Sequence, residues 1–144
     1  MMLMGCVPYP AIDSERAEIL AIGLHERYDR NELRNLIGVN PSQVAWCAAY
    51  VQYVLSLEGI EGTGSLIAKS YLDWGWPVAE PEQWDIVIFN RNGPGWEGHV
   101  GFYMGTIERD GQTYYLVLGG NQSDRVSIEP YSTRELLGIR RYEY

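Results

Sequence analysis

Pro41-Ser42-Gln43-Val44-Ala45-Trp46-Cys47-Ala48-Ala49-Tyr50-Val51-Gln52-Tyr53-Val54 is the stretch whose reading decides the fold. It runs from a turn-forming segment into an apolar run. Tyr50, Tyr53, Val54 and Leu57 recur there at helical spacing, and Gly59 supplies a stop. Pro41 and Ser42 stand where a helix start is expected, which puts Cys47 in or near the first turn. The unpaired N–H groups and the positive end of the helix dipole favour a thiolate at that place, so a lowered thiol pKa is expected. The alternative is a small buried hydrophobe, the usual fate of a free cysteine.

With 144 residues the chain is expected to form one domain, large enough for a core without staples. An apolar share of 46% and abundant Trp and Tyr mark it as globular. The formal charge of −8, with Arg140-Arg141 the only adjacent basic pair, argues against nucleic acid as a partner. Cys6 and Cys47 show no metal-ligand spacing, so neither a zinc site nor any other cofactor is expected. No apolar run approaches a membrane span. Met1-Met2-Leu3-Met4-Gly5-Cys6 superficially resembles the end of a lipoprotein signal, but it lacks a basic stretch and a full apolar segment, so no signal peptide is expected.

Along the chain, Pro8 and Pro10 discourage regular structure near the start. Asp13-Ser14-Glu15-Arg16 signals a helix carrying Ala17, Ile19, Leu20 and Leu24, and a short helix is expected from Arg30 to Ile37, stopped at Gly38. His25 reads as a partly exposed helix-end residue. The glycine-rich Gly59-Ile60-Glu61-Gly62-Thr63-Gly64 lacks a phosphate-loop ending and reads as a connection. Thr63 or Ser65 is expected to cap a helix through Leu66, Ala68, Lys69, Tyr71 and Leu72. From Trp76 the texture changes, and strands are expected over 84–89, 99–104, 113–118, 125–128 and 137–142. Helices first and an antiparallel meander second is the α+β pattern. It divides the chain into a helical part (1–40), the cysteine helix with the helix after it (41–75), and a sheet (76–144).

His99 opens a strand after Asn92-Gly93-Pro94-Gly95-Trp96-Glu97-Gly98. Alternation puts His99, Gly101 and Tyr103 on one face, with Val100, Phe102 and Met104 on the other, toward the core. Gly98 and Gly101 are expected to leave space beside the imidazole. A three-residue loop Arg109-Asp110-Gly111 would set Glu108 opposite Gln112, Phe102 opposite Leu118, Met104 opposite Leu116 and His99 opposite Asn121. A two-residue Asp110-Gly111 turn would put Gln122 opposite His99 instead, and the first is preferred because it keeps both glycine pairs beside the histidine. An Asn121 carboxamide there would accept one ring N–H and fix the tautomer, leaving the other nitrogen for the thiol. Cys47, His99 and Asn121 are thus the candidate nucleophile, base and orienter of a thiol acyl transfer. The Cys47 N–H and the Gln43 side chain are candidates for the oxyanion. Gln43, Trp46, Trp96, Gly98 and Gln122 are the candidate substrate-binding residues.

The ordered motifs Trp46-Cys47-Ala48-Ala49-Tyr50-Val51, Gly62-Thr63-Gly64-Ser65 with Ala68-Lys69-Ser70-Tyr71-Leu72, Asp85-Ile86-Val87-Ile88-Phe89, Gly98-His99-Val100-Gly101-Phe102-Tyr103 and Leu118-Gly119-Gly120-Asn121-Gln122-Ser123-Asp124 give the chain, from about Trp46 to Tyr142, a family likeness. It resembles the CHAP and NlpC-type papain-like cysteine peptidases and amidases, small peptidoglycan hydrolases of bacteria and phages. The resemblance implies a papain-like α+β fold with Cys47 as nucleophile and His99 as base, while the third polar member varies in that superfamily. It implies a cysteine hydrolase cutting an amide bond of the cell wall, within the stem peptide or between sugar and peptide, as a monomer acting outside the cytoplasm after release or delivery. Trp84 departs from the family, which usually has glycine before the aspartate.

Two other functions fit the same residues. A non-catalytic wall- or glycan-binding module would use Trp74, Trp76, Trp84 and Trp96 as a stacking platform. A thiol deamidase or acyltransferase acting on another protein would use the same cysteine, histidine and amide. A zinc enzyme built on Cys47, Asp85 and His99 has no ligand spacing in its favour.

Overall fold

The computed structural model of the chain describes residues 30–122 and 125–142. Cys6, the expected helix around Ala17–Leu24, and His25 lie outside these residues. The short helix before the cysteine is present as α1, Arg30–Ile37, and it ends where Gly38 turns left-handed at φ 78°. The apolar run forms α2, Cys47–Leu57. Residues 41–45 are turn rather than helix, so Cys47 itself is the first helical residue. Cys47, Ala48, Ala49, Tyr50, Val51, Val54 and Leu55 are all buried, which makes α2 a core helix rather than a surface one. Its end is a Schellman closure. The Ile60 N–H donates to the Leu55 carbonyl at 3.0 Å and the Gly59 N–H to that of Ser56 at 3.1 Å, with Gly59 at φ 70°.

The helix expected next is a short 3-10 helix, Ala68–Asp73. Thr63 and Ser65 serve the loop before it, accepting from the Ser65 and Ile67 N–H groups, and do not cap an α-helix. Six strands then build one antiparallel sheet: β1 Trp76–Pro77, β2 Ile86–Asn90, β3 Gly98–Arg109, β4 Gln112–Gln122, β5 Arg125–Ser132 and β6 Leu136–Arg141. Every expected strand is there, and the molecule is α+β. The order β1-β6-β2-β3-β4-β5 is a meander from β2 to β5, with β6 returning between β1 and β2.

That return forces the sheet to curl. Flat, the three strands between β5 and β6 would hold them about 19 Å apart at ordinary strand spacing. The connection Thr133–Glu135 spans about 14 Å at full stretch, and a 3-10 turn shortens it further. The sheet therefore rolls toward a half-barrel with two separate apolar faces. One face puts Ile86, Ile88, Val100, Phe102 and Leu118 against α2, Ile37, Ala68 and Tyr71. Val87, Phe89, Val117 and Ile139 fill the inside of the curl, flanked by Tyr103, Tyr115, Tyr131 and Leu136.

The β3–β4 hairpin turns through Asp110 and Gly111, both left-handed at φ 53° and 76°, with Arg109 opposite Gln112. The expected three-residue loop is therefore incorrect. Met104 is bulged out between Tyr103 and Gly105, so Gly105 rather than Met104 meets Leu116. The bulge absorbs the one-residue difference, and Phe102 still meets Leu118 as expected.

The start of β2 carries a buried charge. Asp85 is fully buried, and Arg141 grips both its oxygens, Nε to Oδ1 and Nη2 to Oδ2, each at 2.7 Å. The Glu82 N–H adds a third bond to Oδ2 at 2.7 Å. Asp85 is thereby committed to holding β6 against β2, away from any metal. Just before it, Trp84 has φ 77°, a left-handed conformation that a side chain makes costly. Its ring is buried edge-on to Phe102 at 5.4 Å between centroids, and its backbone N–H donates to the Tyr103 carbonyl at 3.0 Å. A residue with no Cβ would sit here without strain, and packing holds the tryptophan in its place.

Trp84 should therefore invert the usual ranking of small substitutions. Trp84→Ala should destabilise by about 3–5 kcal/mol through the lost ring. Trp84→Gly should cost about 1 kcal/mol less than Trp84→Ala, because it alone relieves the backbone. Denaturant melts of the two variants check this, and a glycine variant less stable than the alanine one would refute the strain.

Candidate active site

Three elements meet at one end of the curled sheet: the start of α2, the start of β3 and the end of β4. Trp46 caps α2 with no side-chain hydrogen bond, so the first-turn N–H groups are left to their surroundings. The sulfur of Cys47 takes up that position, against the N–H groups of Cys47 and Ala48 and that of Val100 in β3. Cys47 is thus set beside the residue that follows His99.

The imidazole of His99 is held at one edge and on one face. Nε2 lies 2.8 Å from Gln122 Oε1. Gln122 Nε2 donates to the carbonyls of Val117 and Ser127 at 3.1 and 2.8 Å, so the amide can present only its oxygen to the ring. Nε2 must then carry the proton and Nδ1 the lone pair. Tyr131, from β5, stacks on the ring at 4.6 Å and 5°, and is itself 5.1 Å from Phe89, the strand partner of His99. Nδ1 is buried and has no hydrogen-bond partner among the described residues, Cys47 included. Thiol and base share a neighbourhood without being hydrogen-bonded to each other in this structure.

The carboxamide at the histidine belongs to Gln122, not Asn121 as expected. Regular alternation would turn residue 121 toward the ring. Asn121 instead adopts φ 59°, and this left-handed residue rotates the chain so that Gln122 faces His99. Gln122 is therefore corrected from substrate contact to holder of the imidazole, and Asn121 is the half-buried kink that aims it. The glycines here admit protein rather than open a cleft. A Cβ at Gly119 would lie 2.5 Å from Gln122 Oε1, one at Gly101 2.5 Å from Val117, and one at Gly98 2.7 Å from the Phe89 carbonyl.

The remaining candidates separate. Trp46 is wholly buried, its ring filling the room that Gly120 leaves, so it belongs to the core and cannot touch a substrate. Gln43 is exposed in the turn ahead of α2. Trp96 is 68% exposed on the β2–β3 loop, which Lys69 pins by donating from Nζ to Asn90 Oδ1 and the Gly95 carbonyl at 2.8 and 2.5 Å. Two neighbours were not anticipated. The charge of exposed Arg91 acts on Cys47, His99 and Tyr131 alike, and its side chain bonds the Tyr131 phenol. Arg91 directly follows β2, whose last residue Asn90 pairs with Gly98 beside His99, so the β2–β3 pairing would have brought it to notice. Tyr131 arrives through the curl of the sheet, and no local pattern announces it.

Burial governs the electrostatics. Cys47 is 4% exposed and His99 1%. Burial pushes the Cys47 thiol up, against the opposing pull of the Val100 N–H, Arg91 and the first-turn N–H groups. The lowered thiol pKa expected from the helix start is thus not found, because desolvation outweighs the dipole. Burial likewise pushes His99 down to about 4; the Gln122 hydrogen bond opposes this and the Arg91 charge adds to it. The resting pair is a neutral thiol beside a neutral imidazole. Among the described residues no cluster of His, Cys, Asp or Glu is placed to hold a metal, and no helix is long and apolar enough to cross a membrane. Compared with known proteins, the chain matches no family model and no curated sequence.

Alkylation of Cys47 by iodoacetamide should accordingly be slow at neutral pH and accelerate above pH 9, the ordinary thiol value. Between the unfolded value of 6.5 and about 4, the unfolded chain binds a proton at His99 that the folded chain refuses. The stability this group contributes above pH 6.5 should therefore be lost as the pH falls toward 4. Nitrogen-detected NMR should show the His99 ring neutral and protonated at Nε2 throughout the neutral range. Fast alkylation independent of pH there would instead reveal a thiolate–imidazolium pair.

Proposed function

We propose that the chain is a cysteine-dependent hydrolase of papain-like arrangement that cuts an amide bond in peptidoglycan. One observation carries this: a histidine whose tautomer is fixed by a buried carboxamide, with its basic nitrogen unused, stands next in sequence to the residue whose N–H touches a helix-start cysteine. The resemblance of the ordered motifs to cell-wall hydrolases supplies the substrate class.

The chemistry follows from the neutral resting pair. As Sγ attacks the carbonyl carbon, His99 Nδ1 takes the thiol proton, and the imidazolium forms only in the presence of the developing oxyanion. First-turn N–H groups of α2, left without a side-chain cap, stabilise that oxyanion. The C–N bond breaks and Nδ1 returns the proton to the leaving amine, leaving a thioester on Cys47. Water then attacks the thioester, giving a proton to Nδ1, and the departing sulfur takes it back. Gln122 keeps Nδ1 aimed throughout, since turning the ring would abandon the bond at Nε2.

A second reading rests on Trp96 and Trp76, exposed at 68% and 57%, which suit a glycan-binding surface. Mass spectrometry of defined muropeptides after incubation with the protein separates the two, because only a hydrolase releases fragments. Cys47→Ala should abolish turnover. Gln122→Ala should lower kcat by about 10–100-fold, as expected for a misaligned general base. Asn121→Gly, which preserves the left-handed kink, should stay within about threefold of wild type. Wall binding without any fragment would favour the binding module, whereas a modified protein with its backbone intact would favour a deamidase or acyltransferase.

A further inference from the structure

The β2–β3 loop, residues 91–97, has little of its own to hold it. Asn92, Gly93 and Gly95 all have positive φ, at 57°, 81° and 142°, and residues 91–96 are exposed. Within the loop the Arg91 N–H donates to the Glu97 carbonyl at 3.3 Å, and Asn92 Nδ2 to Glu97 Oε2 at 3.2 Å. At its root the Arg91 side chain bonds the Tyr131 phenol. Its far side is fixed from another element, by Lys69. That lysine belongs to the 3-10 helix Ala68–Asp73, whose Ala68 and Tyr71 are anchored in the core. Its stem runs past the start of β3, where a Cβ at Gly98 would lie 3.2 and 3.3 Å from Lys69 Cγ and Cε. The glycine beside His99 thus leaves the lysine its path. Nζ then donates to Asn90 Oδ1 at 2.8 Å and to the Gly95 carbonyl at 2.5 Å, tying the end of β2 to the far side of the loop. Both acceptors are neutral oxygens, and among the described residues Lys69 makes no ion pair.

What the loop carries gives this anchor a use. Trp96 is 68% exposed and stands three residues ahead of His99, so their Cα atoms lie within about 11 Å of each other. An exposed indole offers a ligand a large rigid face. A loop that must first be ordered gives part of that affinity away. We propose that Lys69 is a positioning residue acting through Trp96: by fixing the far side of the loop, it holds the indole ready for the wall substrate. Lys69 then governs substrate binding and leaves the chemistry at Cys47 alone. This rests on the cell-wall reading and adds to it a residue, remote from the thiol, that sets affinity.

Lys69→Met keeps the stem along Gly98 and removes the donors, whereas Lys69→Arg restores donors. In Lys69→Met the backbone order parameters of Gly93, Gly95 and Trp96 from nitrogen-15 relaxation should fall from about 0.85 to below about 0.6, with Val100 unchanged. The ligand probe is a disaccharide–tetrapeptide muropeptide. A loop in place only a tenth of the time should weaken its binding to Cys47→Ala protein about tenfold, and should raise KM equally in active protein with kcat within about threefold. Lys69→Arg should return order and affinity to within about threefold of wild type. Trp96→Ala should weaken binding as well, and adding Lys69→Met to it should cost less than about twofold more, because the two act as one. A loop that stays ordered, a loosened loop with unchanged affinity, losses that multiply in the double variant, or a fall in kcat alone overturns the proposal. If Lys69→Met does not fold, Gly95→Ala gives the same readings, since its Cβ meets open space and only the backbone disfavours it. Binding that depends on Lys69 without turnover by wild type overturns the hydrolase and leaves this role standing. Neither binding nor turnover overturns both.

Discussion

The carboxamide of Gln122 is the fixed point around which this end of the molecule is arranged. Its nitrogen joins the backbone of β4 to that of β5 through the Val117 and Ser127 carbonyls, so its orientation is set by the sheet and not by the histidine. The oxygen is consequently an acceptor for His99 whatever the ring prefers, and the tautomer follows. A buried amide that satisfies two carbonyls and one N–H leaves no polar atom orphaned on its own side. On the imidazole it is Nδ1 that has no partner among the described residues, and the proposed chemistry requires it to be available.

Burial has a second consequence for the sulfur. A cysteine at a helix start is commonly read as acidic, and the field from the first-turn N–H groups is indeed present here. It loses to desolvation because Val100 and the core around α2 shut out water. In the proposed reaction the dipole would serve a charge that arises during attack rather than one that exists at rest. An oxyanion formed in a dry site gains more from fixed N–H groups than one formed in water, since no solvent must reorganise.

Much of the architecture was legible in the sequence. The helix after Trp46, its glycine stop, the strands and the inward set Val100 and Phe102 all follow from periodicity and punctuation, which are local properties. Cys47 and His99 stood out because their residue types and positions are chemically unusual, and the structure brings their backbones together where α2 meets β3. Features that depend on long-range geometry were missed. Asn121 was assigned the place of Gln122 because the three-residue hairpin register was preferred and carried regularly through Gly119-Gly120-Asn121. Yet an asparagine after two glycines is the residue most able to turn left-handed, and that turn reverses the face. Trp46 was placed among the substrate contacts because its partner, the bare backbone of Gly120, lies on another element. Tyr131 depends on the rolling of the whole sheet. The Met104 bulge and the two-residue hairpin shift register in opposite senses, so the Phe102–Leu118 pairing was right while its turn was not.

The Asp85–Arg141 pair bears on how the chain is assembled. β2 is made long before β6, yet the aspartate at its head is wholly buried and its counterion stands on the last strand of the sheet. On a ribosome, the earlier segments cannot close over an unneutralised carboxylate, and β1 has no strand to join until β6 emerges. The polypeptide must therefore remain unclosed around Asp85 until almost all of the described sequence has been translated. Cys47 lies in the core on the other side of that sheet, so the burial that raises its pKa is completed only when the sheet closes.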